Sequence, residues 1–316
     1  MGGEDMSRAF VFPGQGAQTI GMGRELARAY PSARAVFDEV DEALGEALSQ
    51  LIWEGEIETL TLTANAQPAL MATSMAAMRA LESEGVAVES AAYVAGHSLG
   101  EYSALCAAGS LGIADAARLL RLRGRAMQEA VPVGVGAMAA VLGLGYEEVA
   151  AIAREAAHRG EVCAAANDND PAQVVVSGHR AAVERAVEIA KAKGAKRAMM
   201  LPVSAPFHCA LMEPAARAMA EALSHVEIKA PKVPLVANVL AHDVDDGTLA
   251  RSLLVEQVTH RVRWRESVLW MVAHGVTEFW EVGAGKALSG MIRRIAPEAA
   301  TRAISTPEDV KAAVAG

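Results

Sequence analysis

Gly96-His97-Ser98-Leu99-Gly100 is a Gly-x-Ser-x-Gly motif between an apolar run, Ala91 to Ala95, and a stretch that reads as a helix to about Ala108. A serine on such a strand-to-helix turn is held in strained backbone geometry with its hydroxyl exposed. Flanking glycines let the backbone close up without Cβ clashes. The hydroxyl then stands at a helix N-terminus, where free N–H groups can hold an oxyanion. Nucleophilic acyl transfer through Ser98 is the chemistry this pattern predicts; a serine that only caps the helix is the competing reading.

A serine nucleophile needs a base. Of eight histidines, His208 in Ala205-Pro206-Phe207-His208-Cys209 is the best placed, on a Pro-bearing loop of the kind that carries catalytic groups. A histidine capping the following helix is the alternative. His97 adjoins Ser98, but neighbours on a tight turn point apart, so it lines the site or supports it.

Arg123 is the most informative cation. On a helix over Ala114 to Ala130, the apolar face is set by Ala116, Leu119, Leu120, Ala126 and Met127, and Arg123 falls in its middle. Arg118, Arg121 and Arg125 fall on the other side, as a solvated face does. An unpaired guanidinium in a buried stripe costs several kcal/mol, so Arg123 must meet an anion. That anion is either a core Asp or Glu or a substrate carboxylate, which the planar fork of arginine suits. Gln15 follows the first predicted strand; its N–H with that of Leu99 would form an oxyanion hole, and an ordinary polar loop residue is the competing reading.

The elements that must position these groups alternate. Ala9–Phe12 reads as a strand, Ser32–Leu44 and Gln67–Glu84 as helices, then the strand and helix around Ser98, then the Arg123 helix. This order argues for a parallel α/β sheet. From Gly134 the rhythm changes. Strands are expected at Ala137–Leu142, Val162–Ala166, Gln173–Ser177 and Arg197–Val203, with helices at Tyr146–His158 and Arg180–Lys193. Asn167-Asp168-Asn169-Asp170-Pro171 reads as the turn between the two middle strands. The order β-α-β-β-α-β is that of a ferredoxin-like unit. After Pro206 the α/β pattern resumes, with helices at Leu211–Leu223, Leu249–Val258 and up to His274, and strands at Val233–Ala237 and Thr277–Val282. The reading is a catalytic domain over residues 1–131 and 204–316 with an inserted subdomain over 132–203.

Composition narrows the function classes. The 316 residues are 52% hydrophobic with 4% aromatic, so Ala, Val, Leu and Met must fill the core. A net charge of −9 argues against a nucleic-acid partner. Cys106, Cys163 and Cys209 lack metal-ligand spacing and read as reduced thiols, so no metal is expected. The first ten residues carry Glu4 and Asp5 and no apolar h-region, so no signal peptide is expected. The uncharged stretch 59–78 carries Asn65, Gln67 and Pro68 and does not read as a membrane span. Gly14-x-Gly16 lacks the third glycine of a dinucleotide fingerprint, and Gly285-Lys286 lacks the spacing of a P-loop.

With these residues in view, the chain resembles the malonyl-CoA:acyl carrier protein transacylases of fatty-acid synthesis and the acyltransferase domains of polyketide synthases. The landmarks, running from about Ala9 to Ile304, are Phe12-Pro13-Gly14-Gln15-Gly16, the Ser98 motif, Arg123-Gly124-Arg125-Ala126-Met127-Gln128, Gln173-Val174-Val175-Val176-Ser177-Gly178, Pro206-Phe207-His208 and Gly283-Ala284-Gly285-Lys286. The resemblance implies an α/β-hydrolase-like large domain with a ferredoxin-like insertion. It implies Ser98 as nucleophile, His208 as base, Arg123 on the malonyl carboxylate, and the N–H groups of Gln15 and Leu99 as oxyanion hole. Gln257 matches the residue whose main-chain carbonyl orients the histidine, and Asn169 an asparagine near the site entrance. Glu101, Asp115 and Glu129 remain open as acids for that orienting role. Malonyl-CoA and acyl carrier protein are the implied partners, with no cofactor of the protein's own, no membrane, a monomer, and a cytoplasmic location. Lys196 and Arg197 at the end of the small domain, and Arg293 and Arg294 near the C-terminus, are the candidate basic groups for an acidic carrier protein, with solvated surface charge as the alternative for each. A serine hydrolase on the same turn, and a non-enzymatic protein keeping the fold, are the two alternatives.

Overall fold

The alternating residues of the first strand decide the layering. In the computed structural model, which describes residues 7–203 and 205–315, Phe10 and Phe12 enter one buried cluster, with the helix Thr63–Ser83. Ala9 and Val11 enter another, with Trp264, Phe279 and Leu288. A strand buried on both faces belongs in a parallel sheet covered by helices. The leader reading of the first residues falls largely outside the described residues.

Ten strands are formed among the described residues: β1 (Ser7–Phe12), β2 (Tyr93–Gly96), β3 (Gly136–Leu142), β4 (Cys163–Asp170), β5 (Gln173–His179), β6 (Arg197–Met200), β7 (Leu235–Val236), β8 (Asp243–Val244), β9 (Val276–Val282) and β10 (Ala300–Ile304). The large sheet has the order β10-β9-β1-β2-β7-β8 and is parallel except at the β7–β8 edge. The second sheet has the order β4-β5-β3-β6 and is antiparallel throughout, the ferredoxin-like arrangement. Its two helices, Tyr146–Ala156 and Arg180–Ala192, share its own cluster around Val141, Ile152, Val176 and Val183.

Three sequence expectations change. Asn167–Asp170 is not a turn: it is the end of β4, and only Pro171 and Ala172 turn. Two register shifts bulge the strand there. Its polar side chains are buried because the large domain supplies partners: Arg265 grips Asp168 at 3.0 and 2.9 Å, and Arg294 reaches Asp170 at 2.7 Å. Asp168 N–H donates to Val262 O at 2.9 Å, and Val262 N–H to Ala166 O at 2.8 Å, so backbone also joins the two units. Tertiary pairing thus overrides turn propensity.

The second expected helix begins at Thr63, so Pro68 lies inside it. Proline has no N–H to give to the carbonyl four residues back. That carbonyl, Ala64 O, instead accepts Arg121 Nη1 at 2.8 Å. Arg121 is therefore buried, with Glu46 2.7 Å from Nη2, and is not part of a solvated face. Arg118 and Arg125 are exposed as expected. The helices Arg24–Ala29, Leu48–Glu54, Ile57–Thr61, Ala287–Ile295 and Pro307–Val314, and β10, carry no expectation from the sequence. Most are too short for the periodicity of an amphipathic face to show.

Candidate active site

The register of β1 and β2 pairs Phe12 with Gly96, so the loops after both strands leave at one level. Ser98 sits on the second of these, at φ 54°, just before the helix Gly100–Ala107. A Cβ on Gly96 would fall 1.9 Å from the Gly100 carbonyl carbon, and one on Gly100 would fall 2.2 Å from Phe12 O. Only glycine allows the helix to start that close to the strand ends. A non-glycine residue at positive φ is strained, and the second reacting group shares this: His208 stands at φ 58°.

Ser98 Oγ lies 2.8 Å from His208 Nε2, and Arg123 Nη2 donates to the same oxygen at 3.1 Å. His208 Nδ1 lies 2.8 Å from the main-chain oxygen of Gln257, at the end of the helix Gly247–Gln257. A carbonyl rather than a carboxylate orients this imidazole. It fixes the tautomer with the proton on Nδ1 and leaves Nε2 to accept from the serine. Asp115 is instead paired with Arg118 on the surface, and Glu129 is exposed. Burial and then the Arg123 charge push His208 down to about 3, so the imidazole is neutral and ready to take a proton.

The backbone donors at the elbow sort themselves by partner. His97 N–H gives to Phe12 O, Ser98 N–H to Asn238 Oδ1 at 2.9 Å, and Gly100 N–H to His97 O. Leu99 N–H and Gln15 N–H meet no acceptor among the described residues, and both residues line the cleft. These two N–H groups are therefore the ones available to an oxyanion.

Arg123 is 1% exposed, on the helix Ile113–Glu129. That helix comes close because Gly124 lies against Ala64, where a Cβ would fall 2.5 Å from the Ala64 Cα. The guanidinium gives Nη1 to Gln67 Oε1 at 2.8 Å and Nη2 to Gln257 Oε1 at 2.7 Å, with its carbon 5.8 Å from the Tyr102 ring centroid. Among the described residues it forms no ion pair: its contacts are amide oxygens and the serine hydroxyl. Burial lowers its pKa, but arginine stays charged. The buried cation so keeps room for a carboxylate beside the Ser98 hydroxyl.

A cleft of about 400 Å³ holds Ser98, His208 and Arg123, with Gln15, Leu99 and His97 on the elbow side. Met138, Ala140, Val175 and Asn169 of the small sheet close it, and Phe207 adds an apolar wall. His97 Nε2 lies 2.8 Å from Asn169 Oδ1, so the two expected lining residues join the domains across the cleft. The basic residues stand apart from this group. Lys196 and Arg197 are exposed at the start of β6, and Arg293 is exposed with Nε on Ser289 O. Arg294 is half-exposed but committed to Asp170, so it is not a free docking cation.

Gln67 and Asn238 escaped the sequence reading. Gln67 had a signal: it is an amide in a helix whose buried residues are almost all apolar or hydroxylic. Asn238 follows a two-residue strand and had none. The three cysteines are free and buried, and burial raises all three thiols.

Residues 9–302 match the family model described as an acyl transferase domain. The malonyl CoA-acyl carrier protein transacylase of Escherichia coli (strain K12) is 47% identical over 306 residues, 97% of this chain and 98% of that one. The crystal structure of acyl-carrier-protein-S-malonyltransferase from Bartonella henselae superposes with a TM-score of 0.96 at 55% identity, over 98% of this chain and 99% of that one. A type II PKS acyl-carrier protein in complex with its malonyl-transacylase matches at a TM-score of 0.94 and 41% identity, over 98% and 99% of the two chains.

Proposed function

The chain belongs to the acyl transferase domain family, and from that premise we infer that it moves a malonyl group from malonyl-CoA to the phosphopantetheine thiol of acyl carrier protein, for fatty-acid or polyketide synthesis. The observation that carries this reading is the sharing of one oxygen. Ser98 Oγ meets a neutral imidazole on one side and a buried guanidinium without a carboxylate partner on the other. An ordinary serine hydrolase has no use for the second contact; a carboxylate-bearing acyl group does.

In the first half-reaction His208 Nε2 takes the Ser98 proton as Oγ attacks the thioester carbon. The oxyanion is received by the N–H groups of Leu99 and Gln15, and Arg123 holds the distal carboxylate. As the intermediate collapses, the C–S bond breaks and His208 returns its proton to the departing coenzyme A sulfur. The carrier thiol then repeats the sequence on the serine ester, giving a ping-pong exchange. Thioester exchange is redox-neutral and runs on a serine–imidazole pair, so the reaction calls for no cofactor of the protein's own. Asn169 and His97 line the path of the arm, and Lys196, Arg197 and Arg293 are the basic groups offered to the acidic carrier. No helix among the described residues is long and apolar enough to cross a membrane, and we place the activity in the cytoplasm with its diffusible substrates.

Mass spectrometry after mixing with malonyl-CoA tests this. The adduct is a single malonyl group, mapped to the peptide containing Ser98, and is discharged by holo acyl carrier protein. Steady release of free malonate without the carrier would make the protein a hydrolase instead.

A further inference from the structure

We infer that Glu101 is a positioning residue for acyl-group selection, fixing the orientation of the Arg123 guanidinium through the side chain of Gln257. The inference rests on Arg123 being the group that receives the malonyl carboxylate.

Gln257 is fully buried, and its amide has one accepting oxygen and one donating nitrogen. Nε2 faces three acceptors: a Glu101 carboxylate oxygen in a short hydrogen bond, Ser98 O at 3.0 Å and Asn238 Oδ1 at 3.3 Å. Oε1 faces Arg123 Nη2 at 2.7 Å. Turning the amide over would set N–H groups against the guanidinium and an oxygen against three oxygens. Two of the three acceptors are shared, since Ser98 O also takes Glu101 N–H and Asn238 Oδ1 also takes Ser98 N–H. The acceptor that serves Gln257 alone, and the one of the three able to carry negative charge, is Glu101 Oε2. Its other oxygen accepts Asn238 N–H at 3.1 Å.

Glu101 is 1% exposed and forms no ion pair among the described residues, an unusual place for an acid without a task in the serine–imidazole exchange. The arrangement has a purpose if the guanidinium must stay available. A carboxylate paired directly with Arg123 would fill the seat of the malonyl carboxylate. One amide away, it offers a counter-charge and a fixed geometry while the fork remains open. Burial pushes Glu101 up to about 7, while its two donors and the field of Arg123 oppose that rise.

The test is single-turnover loading of Ser98 in the full-length protein, followed by mass spectrometry across malonyl-CoA concentration. Glu101→Gln keeps the shape but turns a donor toward one of the two groups that need an acceptor. The expected result is a rise of about tenfold or more in half-saturating malonyl-CoA, with maximal loading changed less than about threefold. Gln257→Met, which keeps the main-chain carbonyl for His208, should raise half-saturation similarly. The double variant should be no worse than the poorer single one, because both break one chain of contacts. A purely structural role lowers the active fraction and leaves half-saturation unchanged; that outcome, or multiplying effects in the double variant, overturns the inference. Should Glu101→Gln not fold, Glu101→Asp carries the same test, with a rise of about threefold expected and an unchanged value counting against it. Arg123→Ala separates the two levels. If it leaves half-saturation unchanged, the malonyl reading itself falls; if it raises it while the Glu101 variants do not, only this inference falls.

Discussion

The two sheets meet the same cleft in different ways. The large parallel sheet is buried on both faces and brings its strand ends to the site. From it come Ser98, from a loop packed beside it comes His208, and from a helix covering it comes Arg123. Each reacting group is over-determined: two stand at strained positive φ, and the third is caged by amides. The small antiparallel sheet covers one face with its own helices and turns Met138, Ala140 and Val175 of the other toward the cleft. It supplies walls and the amides of Asn167, Asn169 and Gln173, and no reacting group. Chemistry is built where backbone strain can be held by a two-sided core. Shape is built on a unit fastened from outside, by Arg265 on Asp168 and Arg294 on Asp170.

The contrast is testable in steps. The largest effect is expected in the large domain. Arg123→Ala should cut malonyl loading by about 10² to 10³ while sparing acetyl transfer, since a desolvated charge pair is worth several kcal/mol. Equal loss on both acyl groups in a loading assay would take Arg123 out of selection. Next comes the fastening of the small domain. Asp168→Asn should lower the unfolding free energy by about 1–3 kcal/mol and weaken malonyl-CoA binding more than it slows the serine chemistry. Urea titration and loading kinetics read the two parts, and a loss confined to the chemical step would erase the division of labour.

Per pH unit, a smaller effect follows from acid. His208 is depressed to about 3 in the folded chain, against an ordinary value near 6.5 when unfolded. As pH falls below about 6.5 the unfolded chain takes up a proton that the folded one refuses, so stability drops by up to about 1.4 kcal/mol per unit. His208→Gln should flatten this acid slope in urea titrations between pH 6.5 and 4. Glu101, raised to about 7, acts oppositely: its contribution fades as pH rises from the ordinary carboxylate range through 7. The smallest change belongs to the surface. Lys196→Ala with Arg197→Ala should move stability by less than about 0.5 kcal/mol, yet slow transfer to acyl carrier protein a few-fold at low salt. Transfer by the double variant that stays unchanged at low salt would move the docking surface elsewhere.

By itself the sequence determined the elbow, the cation and the alternation of the longer elements. Gly96 and Gly100 flank Ser98 because nothing larger fits. Arg123 stood out because a charge in an apolar stripe needs an explanation, and the alternation of strands and helices fell within a few residues of the observed bounds. These are local signals, written at spacings of one to four residues. Only the tertiary structure decided what fills the gaps between elements. It turned Asn167–Asp170 from a turn into a strand end, because partners for its acids lie 97 and 124 positions away. It buried Arg121, because Pro68 on another helix leaves a carbonyl to satisfy. It gave Gln257 two tasks, with its main chain on His208 and its side chain between Arg123 and Glu101. The reason is common to all three. A buried polar group must find its partner, and which partner it finds is set by packing between segments distant in the chain, where no sequence period records it.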